Sequence, residues 1–310
     1  MSQSEGAKIA NEMPEGIQLL YAQFADDAPW YNCEYISNVP YATRGDITLK
    51  LQILKPSYVV DRRFPLIIFV QGSAWRKQNL YMQIPALSDM AAHGYVIASV
   101  ECRDTDQARF PAQLEDVKSA IRFMRANASK YAANPERVGV WGDSSGGHLS
   151  LMTGLTCTPH DKNTAVEERD DVLAVVDYYG ITDLLTLGDY NVILDHGGSD
   201  SPEGLLLGGK VGDRQEEAKK ASPVYQDLDR ELPPFLIIHG DSDKIVHISQ
   251  SMEMYHALRQ HGKKALFYKV VGADHGVGVW NPEVLHITER FFAAQLRQPD
   301  YDRLFTQNQN

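Results

Sequence analysis

The stretch Val138-Gly139-Val140-Trp141-Gly142-Asp143-Ser144-Ser145-Gly146-Gly147-His148 constrains this chain more than any other. Apolar, strand-like residues run into a G-x-S-x-G pentapeptide. Small residues then lead into Leu149, Leu151 and Met152, which read as helix. A serine at such a turn sits at the end of a strand in a strained backbone conformation, so only small residues fit two positions before and after it. The pentapeptide alone matches by chance in many Gly/Ser-rich loops. The strand before it and the helix after it make Ser144 the candidate nucleophile.

Apolar segments on either side repeat a strand-then-helix rhythm. Ile47, Leu49, Leu51 and Ile53 alternate with polar residues, the period of a half-buried strand, and Lys55-Pro56 closes it near the sheet edge. Leu66-Ile67-Ile68-Phe69-Val70 is continuous and apolar, as in a strand covered on both faces. A helix is predicted over residues 80–93, a strand over 95–100, and a helix from Pro111 with Leu114, Val117, Ile121 and Met124 on one face. Asn134-Pro135 reads as a turn before the strand that carries Ser144. Further strands are predicted over 172–176, 235–238 and 265–271, and helices over 249–260 and 282–296. Alternation of this kind predicts an α/β domain with a mainly parallel sheet.

Between residues 182 and 232 the rhythm fails. Glycines are frequent there and no buried strand is visible. A structureless loop of that length is unusual in a compact domain, so the segment reads as a small helical insertion or lid. Residues 1–37 read as a loose N-terminal extension, 38–300 as one domain with the insertion at 183–232, and 301–310 as a tail.

Function in an open α/β sheet collects at the carboxyl ends of the strands. After the strand at 235–238 comes His239-Gly240-Asp241-Ser242-Asp243-Lys244-Ile245-Val246, and after the last strand comes Gly272-Ala273-Asp274-His275. The chain order is therefore serine, acid, histidine, each on the loop after its own strand. A serine hydroxyl is a weak nucleophile, so His275, one of ten histidines, is the candidate base. Asp243 or Asp241 would orient it, and Asp274 reads as a turn residue. An oxyanion hole needs backbone N–H groups aimed at the developing charge. Ser145 is expected to give one, and Ser73 and Ala74, on the loop after Val70, the others. Gly72 lets that loop turn. Trp75 either packs beneath it or lines the pocket with Gln71 and Gly72 as a substrate-binding residue.

Composition narrows the partners. A net charge of −11 disfavours nucleic acid and anionic membrane surfaces. No stretch is long and apolar enough to span a bilayer, and residues 1–16 lack the basic and apolar segments of a secretory signal. Three cysteines, Cys33, Cys102 and Cys157, without C-x-x-C spacing suit reduced thiols. These features predict a cytoplasmic protein; no metal and no cofactor are expected, and the expected partner is a small molecule. Its oligomeric state is left open, a homo-oligomer included.

The chain resembles the α/β-hydrolase carboxylesterases of the hormone-sensitive-lipase-like and acetyl-xylan/feruloyl esterase group. Gln71 to Trp75, Arg109-Phe110-Pro111-Ala112-Gln113-Leu114-Glu115-Asp116-Val117, Gly142 to His148, Ala221-Ser222-Pro223 and His239 to Val246 carry the likeness. The resemblance implies a mostly parallel sheet of about eight strands flanked by helices, with insertions shaping the pocket, and metal-free hydrolysis through an acyl-enzyme. Family loops of the form H-G-x-x-D-x-x-V use the later acid, which favours Asp243. The resemblance also implies that Arg103 and Asp116 form a bracing salt bridge. Where family members read H-G-G before the tryptophan, this chain has Gln71-Gly72-Ser73. The Ser73 side chain is expected to narrow the acyl site or add a polar contact. The implied activity is that of a serine carboxylesterase on small acyl esters, with acetyl or feruloyl esters of plant cell-wall carbohydrates as substrates. Tyr178, Tyr179, Tyr190 and Tyr225 would stack on a sugar or phenolic ring or simply pack the lid. The alternatives are a serine peptidase of the same fold and a non-catalytic binding protein.

Overall fold

A computed structural model describes residues 31–57, 62–159, 161, 163–189 and 192–297. The predicted extension up to residue 30, the tail and Tyr190 lie outside these residues.

One eight-stranded sheet organises the chain, in the order β1-β2-β4-β3-β5-β6-β7-β8. Strands β1 (Cys33–Arg44) and β2 (Ile47–Pro56) form an antiparallel hairpin, and β2 also runs antiparallel to β4 (Val96–Val100). The other pairings, through β3 (Phe64–Val70), β5 (Ala133–Asp143), β6 (Ala174–Tyr178), β7 (Phe235–Gly240) and β8 (Ala265–Val270), are parallel. Helices α1 (Ile84–Ala92), α2 (Ala112–Ala126), α3 (Ser145–Thr156), α6 (Ser249–Gln260) and α7 (Pro282–Leu296) cover the sheet. The short α4 (Pro202–Leu207) and α5 (Gln215–Ala221) lie between β6 and β7. This is the α/β-hydrolase fold that the resemblance implies.

Central strands are buried on both faces, and their side chains divide by alternation. Leu66, Ile68 and Val70 of β3 join one core with Leu114, Val117 and Ile121 of α2 and Leu151 of α3. Ile67 and Phe69 join the other with Leu87 and Met90 of α1 and Phe292 and Leu296 of α7. Each such side chain contributes roughly 1.5–3 kcal/mol by leaving water. The two cores hold the carboxyl ends of β3, β5, β6 and β7 side by side.

Three readings of the sequence need correction. The strand β1 starts at Cys33, inside the segment taken as extension, and its register breaks between Ile36 and Val39 and again between Pro40 and Ala42. Asn134 and Pro135 lie within β5 rather than in a turn, at a register shift against β3 where the ladder gives way before Val138. The helix expected over 80–93 is shorter, opening only at Ile84 with Pro85 in its first turn.

Residues 183–232 carry α4, α5 and three short 3₁₀ turns, with no strand among the described residues. The segment is tied to the loop after β7 at two adjacent points. The Ile193 amide donates to the Lys244 carbonyl at 2.9 Å, and His196 Nε2 donates to the Ile245 carbonyl at 3.0 Å. No helix among the described residues is long and apolar enough to cross a membrane.

Candidate active site

Ser144 closes β5 and caps α3 with φ 53° and ψ −125°, a backbone region that non-glycine residues rarely adopt. The neighbouring glycines are obligatory for steric reasons. A Cβ on Gly142 would run into the Gly146 carbonyl, and one on Gly146 into the Val70 carbonyl of β3. The turn is thereby wedged between two strand ends, and the Ser144 amide donates to the Tyr178 carbonyl at 2.8 Å.

His275 lies on the loop after β8. Its Nε2 is 2.9 Å from Ser144 Oγ and its Nδ1 is 2.8 Å from Asp243 Oδ2. Asp243 has a fully buried side chain whose Oδ1 accepts the Ile245 and Val246 amides at 2.9 Å each. Burial alone would push its pKa up. Hydrogen bonds from His239 and His275 outweigh that and hold it well below the ordinary carboxylate range. Asp241 is turned away: its Oδ1 accepts the Gly272 amide at 2.7 Å and its Oδ2 lies 3.7 Å from Lys269. Asp274 holds the loop, accepting the His275 and Lys244 amides. An imidazole bonded in this way can accept the serine proton on one nitrogen while the carboxylate holds the other.

The loop after β3 departs from its reading in detail. The Ser73 amide donates to Ser145 Oγ at 2.9 Å, so Ser73 does not present a free N–H. Its hydroxyl donates to the Arg76 carbonyl at 2.7 Å and is spent within the loop instead of narrowing the acyl site. Ala74 and Ser145 keep amides with no acceptor among the described residues, Ser145 because the first amides of a helix have no intrahelical partner. Ala74 and Trp75 both have left-handed backbones, with φ 54° and 53°.

Trp75 is buried in the core, which corrects its reading as a pocket-lining residue, and its ring stands edge-on to that of His148. Gln71 is buried too, with its amide nitrogen 3.9 Å from the Met82 sulfur. The Gly72 amide donates to Asp143 Oδ1 at 2.9 Å. The Gly72 amide and Trp75 Nε1 are thus both spent inside the protein, while Gln71 keeps a buried Oε1 with no partner among the described residues. Tyr178 and Tyr179 are likewise buried, and Tyr225 alone of the described tyrosines named above is exposed.

Two residues that motif reading passed over shape the site. Asp143 is buried beside Ser144, accepting from Gly72 and, at 3.2 Å, from the Tyr179 hydroxyl. Burial pushes it up to about 6 against those hydrogen bonds. Tyr179 in turn accepts from Trp280 Nε1 at 2.7 Å and packs edge-on against His275 with the ring centroids 4.8 Å apart. His148 is fully buried and held down to about 4 by that burial. Its Nε2 donates to the Ala221 carbonyl at 2.6 Å, so the 183–232 segment is pinned to the helix that follows Ser144. The signal was in the motif itself: a histidine two residues beyond Gly146 on an otherwise apolar, small-residue helix needs buried partners.

Arg103 and Asp116 meet as the resemblance implies, Nε to Oδ2 at 2.8 Å and Nη2 to Oδ1 at 2.9 Å, with Arg44 at 3.4 Å. Among the described residues no group of three or more His, Cys, Asp or Glu side chains is placed to hold a metal ion.

Comparison with known proteins finds esterases. The chain is 33% identical to the esterase LipC of Mycobacterium tuberculosis over 216 residues, 68% of this chain and 53% of that protein. It spans about half the length of the curated relatives it matches. Among solved structures, a truncated form of a carbohydrate esterase from gut microbiota is similar with a TM-score of 0.71 and 29% identity, over 88% of this chain and 99% of that one. A bifunctional GH43-CE from Bacteroides eggerthii is similar with a TM-score of 0.74 and 29% identity, over 89% of this chain and 36% of that one. The BD-FAE family profile matches residues 51–258, from β2 through the turn at Ser144 to α6, and the chain belongs to the BD-FAE family.

Proposed function

We propose that the chain is a serine carboxylesterase in which Ser144 is the nucleophile, His275 the general base and acid, and Asp243 the group that orients His275. The observation that carries this reading is the continuous hydrogen-bonded line from Ser144 Oγ through His275 to Asp243 Oδ2. As Ser144 Oγ adds to the ester carbonyl, His275 Nε2 takes its proton. The negative charge that forms on the carbonyl oxygen is received by the amides of Ala74 and Ser145. Collapse returns the proton to the leaving alcohol and leaves an acyl-serine, which water attacks by the same route.

Small acyl esters of plant cell-wall carbohydrates, acetyl or feruloyl, are the proposed substrates. The likeness to a carbohydrate esterase that is covered along nearly its whole length supports that class. The 183–232 segment, packed on His148 and on the Asp243 loop, would wall the pocket. Tyr225 of that segment, exposed with its hydroxyl on Asp183, is the proposed aromatic platform.

Turnover of p-nitrophenyl acetate tests the reaction. Ser144→Ala should lower kcat by on the order of 10⁶, as loss of the nucleophile does in another serine hydrolase, and equal activity in the two proteins would end the reading. For the substrate, kcat/KM is compared across acetyl, butyryl and octanoyl esters, methyl ferulate and acetylated xylo-oligosaccharides. Preference for the last two is expected, and a flat profile would overturn it.

A further inference from the structure

Asp243 receives two histidines, of which the proposed mechanism uses one. His239, in β7, is fully buried, and its Nε2 lies 2.9 Å from the Val246 carbonyl and 3.2 Å from Asp243 Oδ2. A carbonyl oxygen only accepts, so the nitrogen facing it carries the proton. The neutral ring then has Nδ1 free to accept, and the Ser251 hydroxyl, on the first turn of α6, donates to it at 2.8 Å. The tautomer is thus fixed from both ends, by a backbone carbonyl on one side and a helix hydroxyl on the other. The Nε2–H is shared between Val246 and the same carboxylate oxygen that holds His275.

We propose that His239 is a positioning residue that acts through Asp243: by donating part of a hydrogen bond to Oδ2, it limits how tightly that oxygen binds the His275 imidazolium. The inference rests on the triad reading above and deepens it. The Asp243 side chain is inaccessible to solvent, so no water can take over a lost donor. With His239 removed, the charge on Oδ2 is less dispersed and holds the imidazolium more strongly. His275 then stays protonated to higher pH and the base is lost earlier on the acid side.

Other groups also face His275. Asp143 and Tyr179 approach from the ends of β5 and β6, and Asp274, 3.1 Å from Lys244, lies on its own loop. Asp143 titrates in the same range as the acid limb of a histidine-dependent rate. A readout that belongs to the His275–Asp243 bond alone is therefore needed beside activity. The proton on His275 Nδ1 supplies it, because its resonance moves downfield as the bond to Asp243 strengthens.

The test compares wild type with His239→Leu, which removes the donor, and His239→Gln, whose side-chain amide restores one near the Nε2 position. Profiles of kcat/KM against pH are taken on p-nitrophenyl acetate, with proton spectra of the His275 Nδ1–H. In His239→Leu the acid limb should rise by about half to one pH unit, the plateau fall about tenfold and the resonance move downfield. His239→Gln should return all three close to wild type. Ser251→Ala, which leaves Val246 to hold the Nε2 proton, should leave the acid limb in place. An unmoved acid limb and resonance in His239→Leu would overturn the proposal, as would an equal displacement in His239→Gln or Ser251→Ala. Should His239→Leu not fold, ¹⁵N spectra of the wild type decide: the Nε2-protonated tautomer is expected for His239, and the Nδ1-protonated one would sink the idea. The spectra need no turnover, so failure of the esterase reading, seen as activity surviving Ser144→Ala, is a separate result.

Discussion

Trp75 Nε1 donates to Nδ1 of His148 across 3.1 Å in the protein interior, joining the loop after β3 to the helix that Ser144 caps. This bond acts on the one stretch of loop among the described residues where two consecutive non-glycine residues, Ala74 and Trp75, hold a left-handed backbone. Such conformations persist only where the surroundings over-determine them.

Trp75→Phe keeps the apolar ring but strips the donor and leaves the buried His148 Nδ1 unpaired. A stability loss of about 1–3 kcal/mol is expected. Because the Ala74 amide is a proposed oxyanion donor, kcat should also fall, by about tenfold or more, with little change in KM. Thermal melts and steady-state kinetics check the two halves. A lower melting temperature with unchanged kcat would confine the bond to folding.

Ser73→Gly should leave acyl-chain preference as it is, because the hydroxyl is bonded to Arg76 and not aimed at a substrate. The expected change is a loss of about 1 kcal/mol or less from the lost bond and the freer loop. A changed ratio of acetyl to butyryl turnover would contradict it.

Asp177 is fully buried, with Oδ1 accepting the Gly180 amide at 2.9 Å and Oδ2 without a partner among the described residues. Burial pushes it up to about 8. The folded state therefore keeps a proton that the unfolded chain has already released. The stability this gives is complete below the ordinary carboxylate range, about pH 4, and is lost as pH rises towards 8. Asp177→Asn cannot titrate, so it should gain on wild type by several kcal/mol at most between pH 4.5 and 8. Urea unfolding at three pH values measures the difference. A constant gap would show that Asp177 is ionised in both states or neutral in both.

Gly146→Ala should be among the most damaging single methyl additions, since the new Cβ meets the Val70 carbonyl in the sheet centre and neither strand can yield. A loss of about 3 kcal/mol or more, or failure to fold, is expected. Gly212→Ala, where no atom lies within 4 Å, is the control and should melt within a few degrees of wild type.

The buried parallel strands and the three residues joined at their ends were legible in the sequence because their signals are local: continuous apolar runs, a pentapeptide with strand before and helix after, and strand-end loops in a fixed order. The strand β1 was not, since it is the sheet edge, largely exposed, and broken by Asn38 at φ 55° and two register shifts, so no period survives. Asp243 could be separated from Asp241 only through the resemblance, because side chains two residues apart in a loop follow no period. Their directions come from the amides of Ile245 and Val246, which hold the first, and of Gly272, which holds the second. The fate of the Ser73 amide was beyond reach for a related reason. Its acceptor, Ser145, is distant in sequence and meets it only because β3 and β5 are neighbours.

The bonds from Ile193 to Lys244 and from His196 to Ile245 end on the residues immediately after Asp243. A segment fastened there swings away like a door only by breaking both bonds beside the acid. Entry and exit of an ester would then use an opening of fixed outline, and discrimination between acyl groups would be a matter of shape already present before binding. An engineer who exchanges this segment for a longer one to admit a bulkier ester inherits the same constraint. The amide donor at 193 and the imidazole of His196 would have to be kept, or the loop that carries Asp243 would lose two of its supports.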